Sequence, residues 1–331
     1  MNDFSVHPAA ICEATQVGPG TRIGAFAHVL PGAHIGANCS IGDHVFIDND
    51  VIIGDRVAVK PGVHLGDGIR LGNDIVVGPD ASLSNDAVSM SPRSELPLTI
   101  ITDHAIIGAN ATVLSGVSIG RNAVVAPGAV VTTNVPANAI VHGNPALIRG
   151  YVDAIQSRSP SSSMGTREAT ELVGGARLVH LTRADDMRGS LAASELTQDL
   201  PFVPRRFFVV YHVPSAEARG EHAHRSCHQF LICVAGSVVV LVDDGAGRAQ
   251  VVLDDPGLGL YMPPMVWGTQ YAHSPDAILA VLASDPYDSN DYVRDYDEFL
   301  RLRRGDVTTR ASVMPPTGEG HLPSTAKDPS V

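Results

Sequence analysis

The sequence predicts an all-β chain made of two unlike parts, a solenoid followed by a small barrel or sandwich. Three observations carry this reading. Aliphatic residues recur every six positions through residues 1–150, aromatic residues make up only 5% of a chain with 32 glycines, and the period vanishes after Gly150. At 331 residues the chain also exceeds an ordinary single domain.

The repeat comes first because it fixes everything else in the N-terminal half. Ile11, Val17, Ile23, Val29, Ile35, Ile41, Ile47, Ile53, Val59, Leu65, Leu71, Val77 and Leu83 are each six apart, and the register resumes at Ile101, Ile107, Val113, Ile119, Val125 and Val131. Six fits neither a helix nor a hairpin. It fits a coil with short flat faces, each sending one aliphatic side chain into a shared axial stack. Glycine often follows the stack position, as at Gly18, Gly36 and Gly54. With Asn and Asp it is expected to supply the corner dihedrals. Small residues between the stack positions (Thr21, Ala25, Ala37, Ser40, Ala58) are expected to suit a narrow interior that has no room for rings. Between Leu83 and Ile101 the register sites are Ser89 and Glu95, so one coil's worth of stacking is expected to give way to a loop. Loops on rigid scaffolds commonly carry sites. On the repeats alone a purely structural solenoid stays open.

After Gly150 the grammar changes. Ser157–Thr166 (SRSPSSSMGT) is Ser-rich and reads as a tether. Strands are expected at 207–213, 229–234, 237–242, 250–253, 258–262 and 277–282, with turns at Asp244-Gly245 and Asp255-Pro256-Gly257. Asn290–Arg303 is expected to be helical, and Pro, Ser and Thr beyond Gly305 suggest a tail. The expected divisions are 1–150, a linker at 151–174, a second domain at 175–303 and the tail at 304–331.

Composition excludes several functions. With 23 Lys+Arg against 35 Asp+Glu, the net charge of -12 repels phosphate backbones, so no nucleic-acid partner is expected. No run of about 18 apolar residues is present, so no membrane span is expected. The four cysteines are scattered without metal-ligand pairing and no signal peptide is visible, which points to the cytoplasm.

The chemistry of the second part centres on Arg219-Gly220-Glu221-His222-Ala223-His224. In a strand His222 and His224 share a face. The pattern resembles the start of a metal-binding cupin, yet Gln229 stands where that resemblance implies an acidic ligand and Trp267 where it implies a fourth ligand. Such a set binds a divalent ion poorly, so no metal is expected. A metal-dependent dioxygenase is the runner-up. The pair either is a hydrogen-bonded structural element or moves a proton near neutral pH. Arg206 and Arg219 suit a pyrophosphate, and Tyr261 and Trp267 could stack on a base or sugar.

Two resemblances sharpen these readings. The repeat resembles the hexapeptide-repeat acyltransferases, which implies a left-handed parallel β-helix acting as a trimer. His7-Pro8-Ala9-Ala10-Ile11, Asn85-Asp86, Pro92-Arg93-Ser94-Glu95 and Gly143-Asn144-Pro145-Ala146 look like the nucleotide-sugar N-acetyltransferases. That resemblance implies acetyl-CoA as cosubstrate. Asn85 and Asp86 would hold the sugar or orient its amine, although both are also turn formers. The segment Ala126–Pro145, with Ala126, Gly128, Asn144 and Pro145, would contact pantetheine, and Arg149 a CoA phosphate. His64 and His104 are possible bases, with a surface or turn role as the alternative.

The second resemblance covers residues 175–303. Arg206-Phe-Phe-Val-Val-Tyr211, Arg219–His224, Gln229–Cys233, Gly259–Pro264, Leu282–Tyr287 and Asp291–Phe299 are similar to the dTDP-4-keto-6-deoxyglucose 3,4-ketoisomerases, metal-free cupin (jelly-roll) enzymes. It implies that His222 removes the C3 proton and that His224 assists its return. Arg206, Arg219, Arg188, Tyr211, Gln229, Tyr261 and Trp267 would bind substrate. Arg188-Gly189 matches members giving the galacto product. Phe208 falls where relatives often carry Tyr.

Together the resemblances imply a bifunctional chain handling dTDP-linked keto- and amino-deoxysugars of lipopolysaccharide synthesis. It would form trimers or hexamers joined through cupin dimers, with a separate pyridoxal-phosphate aminotransferase as partner. Two alternatives are a solenoid that only trimerises and a cupin that only senses a sugar nucleotide.

Overall fold

The structure is a computed structural model and describes residues 4–83, 97–157, 169–196, 200–214 and 217–305. Residues through Tyr151 wind as a solenoid with three sheets of nine, seven and six strands, parallel except for the last pair of the nine, most of the strands two residues long. One rung lies above the next at an 18-residue offset, as in Ser40↔Ala58, Phe46↔His64 and Ile35↔Ile53. The aliphatic stack is fully buried from Ile23 through Val131.

Three details depart from the sequence reading. Ile11 is 56% exposed, and its neighbour Cys12 stacks on Val29, because the first coil is one residue short. The interior small residues lie four places after the stack, at Thr21, Ala27, Ala33, Cys39, Ala105 and Ala111, whereas Ser40 is exposed. The left-handed corner dihedrals lie three places after it, as at Phe26, Asn38, His44, Arg56 and Gly62. The glycine directly after the stack answers to a different constraint. A Cβ on Gly54 would meet the Gly72 carbonyl oxygen of the next coil at 2.6 Å, so close approach of backbones selects it.

No coil is lost at the interruption. Val76 pairs with Ile106 and Arg70 with Ile100, thirty residues on instead of eighteen, so the described rungs on either side of the interruption stack directly, and residues 84–96 lie outside the described residues. The extra twelve residues equal two repeat units, which is why the register survives the interruption. The solenoid ends where Ala139–His142 turns back through a cis Asn144–Pro145 bond and pairs antiparallel with Leu147–Tyr151.

The second part is a two-sheet jelly-roll-like barrel. One sheet runs Ala154–Ser157, Arg248–Leu253, Val238–Asp243, Trp267–Tyr271, Arg219–His224 and Tyr292–Val293. The other runs Ala169–Glu171, Arg177–His180, Leu258–Met262, Gln229–Ala235, Ile278–Ala283 and Arg206–Tyr211. Leu231, Val240, Val251, Leu260, Leu279 and Val281 fill the space between them. The six expected strands form within two residues of their expected ends. The segment expected as linker instead supplies an edge strand to each sheet, and residues 158–168 between those strands, which hold all of the expected tether but Ser157, lie outside the described residues. The expected helix is shorter, Tyr296–Arg304, because Asp295 caps it by accepting from the Glu298 amide and Gly305 ends it in the left-handed region. The tail beyond Gly305 lies outside the described residues.

The two parts are packed together. Arg121 of the solenoid bridges Asp297 of the helix at 2.8 Å and Asp103 at 3.2 Å. The Tyr151 ring stands edge-on to Tyr271 at 5.5 Å, and Tyr271 and Leu241 extend the solenoid core into the barrel.

Candidate active site

The histidine pair lies on Arg219–His224, next to the Trp267–Tyr271 strand, and its geometry depends on a bulge. Arg219 pairs with Gln270 and Gly220 with Thr269, then His222 pairs with Gly268, leaving Glu221 without a partner residue. The bulge turns the Gly220 carbonyl toward its own strand, where it accepts from His222 Nδ1 at 2.8 Å. A carbonyl only accepts, so the proton sits on Nδ1 and the Nε2 lone pair is left as a base.

His224 is held differently. Its Nδ1 donates to Asp291 Oδ2 at 2.8 Å, and Gln229 Nε2 donates to its Nε2 at 3.1 Å. Both ring nitrogens are therefore engaged, so His224 takes up a second proton, on Nε2, only if Gln229 releases that nitrogen. The two imidazoles meet edge-on at 4.9 Å, and the Tyr292 ring packs against both, at 4.7 and 4.4 Å. Burial pushes His222 down to about 4, with His224, Arg294 and Arg206 adding to the effect against the Gly220 bond. Burial also lowers His224, although Asp291 opposes it. The pair is thus neutral at physiological pH and competent to accept a proton.

Arg206 supplies the positive charge. Its guanidinium lies over the Phe208 ring at 4.8 Å and donates from Nη2 to the Tyr292 hydroxyl at 3.4 Å, while its buried Nε has no partner among the described residues. A buried unpaired donor of this kind suits an anionic ligand oxygen.

His224, Cys227 and Asp291 also gather donor atoms within 4.8 Å of one another. They do not fit a metal. Asp291 Oδ1 accepts from the Ser226 amide and hydroxyl, and Oδ2 from His224 and the Cys227 amide, which uses the lone pairs an ion would need. Those bonds outweigh burial and hold the Asp291 carboxyl below its ordinary range.

The other expected residues separate into groups. Gln229 is buried at the site. Tyr261 is engaged elsewhere, its hydroxyl with His228 Nδ1 at 2.7 Å and Arg177 above its ring. Trp267 does not offer a stacking face: it is 7% exposed and packs on Tyr296 and Phe299 of the helix, since strand alternation gives Gly268, not Trp267, to the histidines. Arg219 is exposed, and no contact of it with the pair is found among the described residues; its charge acts on His273. Tyr211 is 58% exposed. Arg188 lies on the tip of an exposed hairpin, Thr182–Asp186 with Gly189–Ala193, bridged to Asp186 at 2.6 Å. Sequence reasoning missed the roles of Asp291 and Tyr292, although both begin the quoted segment Asp291–Phe299. Nothing local signals a partnership with a histidine 67 residues away.

In the solenoid, Asn85 and Asp86 lie outside the described residues. Val130 binds the Gly143 carbonyl and its own carbonyl accepts from Ala146, so the Asn144–Pro145 turn sits beside the corner formed by Ala126 and Gly128. A Cβ at Gly128 would meet nothing within 4 Å, so that corner is open. Arg149 is exposed on the returning strand. His64 pairs with Asp48 and His104 with Asp74, both at the surface.

Residues 174–304 match the WxcM-like, C-terminal (FdtA) family, and residues 14–49 and 99–133 match the bacterial transferase hexapeptide (six repeats) family. Over 125 residues the chain is 40% identical to a TDP-4-oxo-6-deoxy-α-D-glucose-3,4-oxoisomerase of Aneurinibacillus thermoaerophilus, covering 38% of this chain and 90% of that protein. Over 67 residues it is 46% identical to a 2,3,4,5-tetrahydropyridine-2,6-dicarboxylate N-acetyltransferase of Staphylococcus aureus, covering 20% of this chain and 28% of that protein. Among solved structures, a 3,4-ketoisomerase from Helicobacter canadensis is 36% identical over 39% of this chain and 97% of its own, with a TM-score of 0.38.

Proposed function

The chain belongs, through its barrel, to the WxcM-like family of sugar 3,4-ketoisomerases, here joined to hexapeptide transferase repeats, and from that premise we propose that it isomerises a dTDP-4-keto-6-deoxyhexose. The observation that carries the reading is His222, a half-buried neutral imidazole with one nitrogen fixed by Gly220 and the other left as a base. In the proposed step Nε2 takes the C3 proton of the 4-ketosugar. The electrons form an enediol with the former carbonyl, and collapse of the C3 hydroxyl to a carbonyl returns a proton to C4. Arg206 holds a pyrophosphate oxygen, and Asp291 with Gln229 fixes His224 beside the base. The galacto product is favoured through Arg188. The exposed Arg188 hairpin, with Met187 and Leu191 bare, supports pairing of barrels between copies.

The solenoid is proposed to transfer acetyl from acetyl-CoA to the 3-amino group of a dTDP-3-amino-3,6-dideoxyhexose. Asn85 and Asp86 would lie at the acceptor, and the corner at Ala126 and Gly128, with Asn144, Pro145 and Arg149, would hold CoA. Its nine-stranded sheet turns Ala58, Val76, Ile106, Val124 and Ile140 outward, and Val76 and Ile106 are exposed, an apolar strip suited to trimer formation. A pyridoxal-phosphate aminotransferase would perform the intervening step. No helix among the described residues is long and apolar enough to cross a membrane, and a cytoplasmic location is proposed.

NMR of the product formed from dTDP-4-keto-6-deoxyglucose tests the isomerase directly: a 3-keto product with solvent deuterium at C4 is expected. Unchanged substrate without deuterium would leave the barrel as a binding module. Release of free thiol from acetyl-CoA with a dTDP-3-aminosugar is expected; its absence would reduce the solenoid to a scaffold.

A further inference from the structure

Between the last coil of the solenoid and the barrel lies a cavity of about 280 Å3. Val131, Val135 and Ile148 form much of its solenoid side, and Glu217, Ala218 and Glu221 its barrel side. Glu221 is the residue skipped by the bulge beside His222. It holds a φ of 51° after Gly220 at 82°, a left-handed conformation that costs a non-glycine residue on the order of 1 kcal/mol. The same bulge therefore does two things. It aims the Gly220 carbonyl at His222 Nδ1, and it turns the Glu221 side chain away from the histidines toward the solenoid.

We propose, resting on the isomerase reading above, that Glu221 is a positioning residue through which the last coil of the solenoid holds the isomerase base in aim. The strain at Glu221 persists only because something outside the barrel seats its side chain, and the cavity wall is what lies there. The seat suits the uncharged acid. Burial raises the Glu221 carboxyl above its ordinary range, and the nearby charge of Glu217 raises it further. The other titratable groups around it are Tyr151, on the strand that ends the solenoid, and Tyr271, whose ring packs on Tyr151; Thr133 and Asn134 are neutral. The described lining contains no Lys or Arg to stabilise a carboxylate.

The sign follows. A raised carboxyl stays seated below its folded-state pKa and is ionised as pH rises through it. The carboxylate then draws in water or swings out, the bulge relaxes, and the Gly220–His222 hydrogen bond loses its alignment. Isomerisation is expected to fall as pH rises, by about tenfold or more, given that a displacement of about 1 Å can cost on the order of 10²-fold.

The test is the pH profile of solvent-deuterium incorporation by the full chain. Glu221→Gln keeps the shape and stays neutral, so it is expected to retain the low-pH rate and lose the falling limb. Ile148→Ala, on the solenoid side, admits water to the cavity and is expected to move that limb to lower pH. A Glu221→Gln profile that keeps the limb, or an Ile148→Ala profile identical to the parent's, overturns the proposal. The His222 imidazole resonance separates this from the isomerase reading. It is expected to follow the Glu221 titration in the parent chain and to lose that step in Glu221→Gln. A resonance silent to that titration overturns the coupling, whereas coupling without any deuterium incorporation would sink the isomerase reading alone.

Discussion

The solenoid and the barrel bury their apolar cores by opposite strategies. In the solenoid each rung is held by the rungs above and below it, with the same six-residue solution repeated. Its information is redundant, and twelve extra residues in the sequence leave the pairing of the flanking strands in register. In the barrel nothing repeats. One strand, Arg219–His224, carries the bulge, both histidines and one of the contacts to the solenoid, and its partner Asp291 arrives from a distant segment. A repeating structure tolerates insertion, and a site assembled once from distant segments does not.

The largest effect should come from the unrepeated part. His222→Asn is expected to lower isomerisation by about 10²–10⁴-fold, the usual contribution of a general base, while acetyl transfer is unchanged; joint loss of both activities would break the separation of the two halves. The same residue sets the acid side of the profile. With His222 pushed down to about 4, the base form is kept until pH falls to that region, not to 6.5 as for an ordinary imidazole. The sign for stability is the same. The folded-state value is depressed, so the contribution is complete above about 6.5 and is lost as pH falls toward about 4, which thermal melting across that window would measure.

Asp291→Asn should cost less, on the order of 10- to 10²-fold, because it only loosens His224. A rate equal to the parent's would place His224 outside the mechanism. The redundant half should respond in stability alone. Gly54→Ala forces a Cβ against the Gly72 carbonyl and is expected to cost about 1–3 kcal/mol, read as a lower melting temperature with isomerisation retained. Smallest of all, Arg121→Ala removes a partly exposed ion pair between the halves and is expected to cost about 1 kcal/mol or less, diminishing with salt.

The division of labour between sequence and tertiary structure follows the same line. The period of six was enough for the solenoid, its axial stack and the lack of rings, because each aliphatic residue there answers to a local, repeating constraint. Alternation and turn signals were likewise enough for six of the barrel strands and for placing His222 and His224 on one face. What they could not supply was anything decided by contact between distant segments. The role of glycine as a close-approach residue depends on the next coil. Trp267 stands in the sequence where a ligand or stacking ring would be, yet the helix Tyr296–Arg304 covers it. Asp291 becomes the anchor of His224, and Glu221 faces the solenoid, only once the chain has folded back across 67 residues in one case and onto another domain in the other. Local periodicity is written in the residues themselves; the protonation, aim and partners of a buried imidazole are set by neighbours that only the closed structure brings within reach.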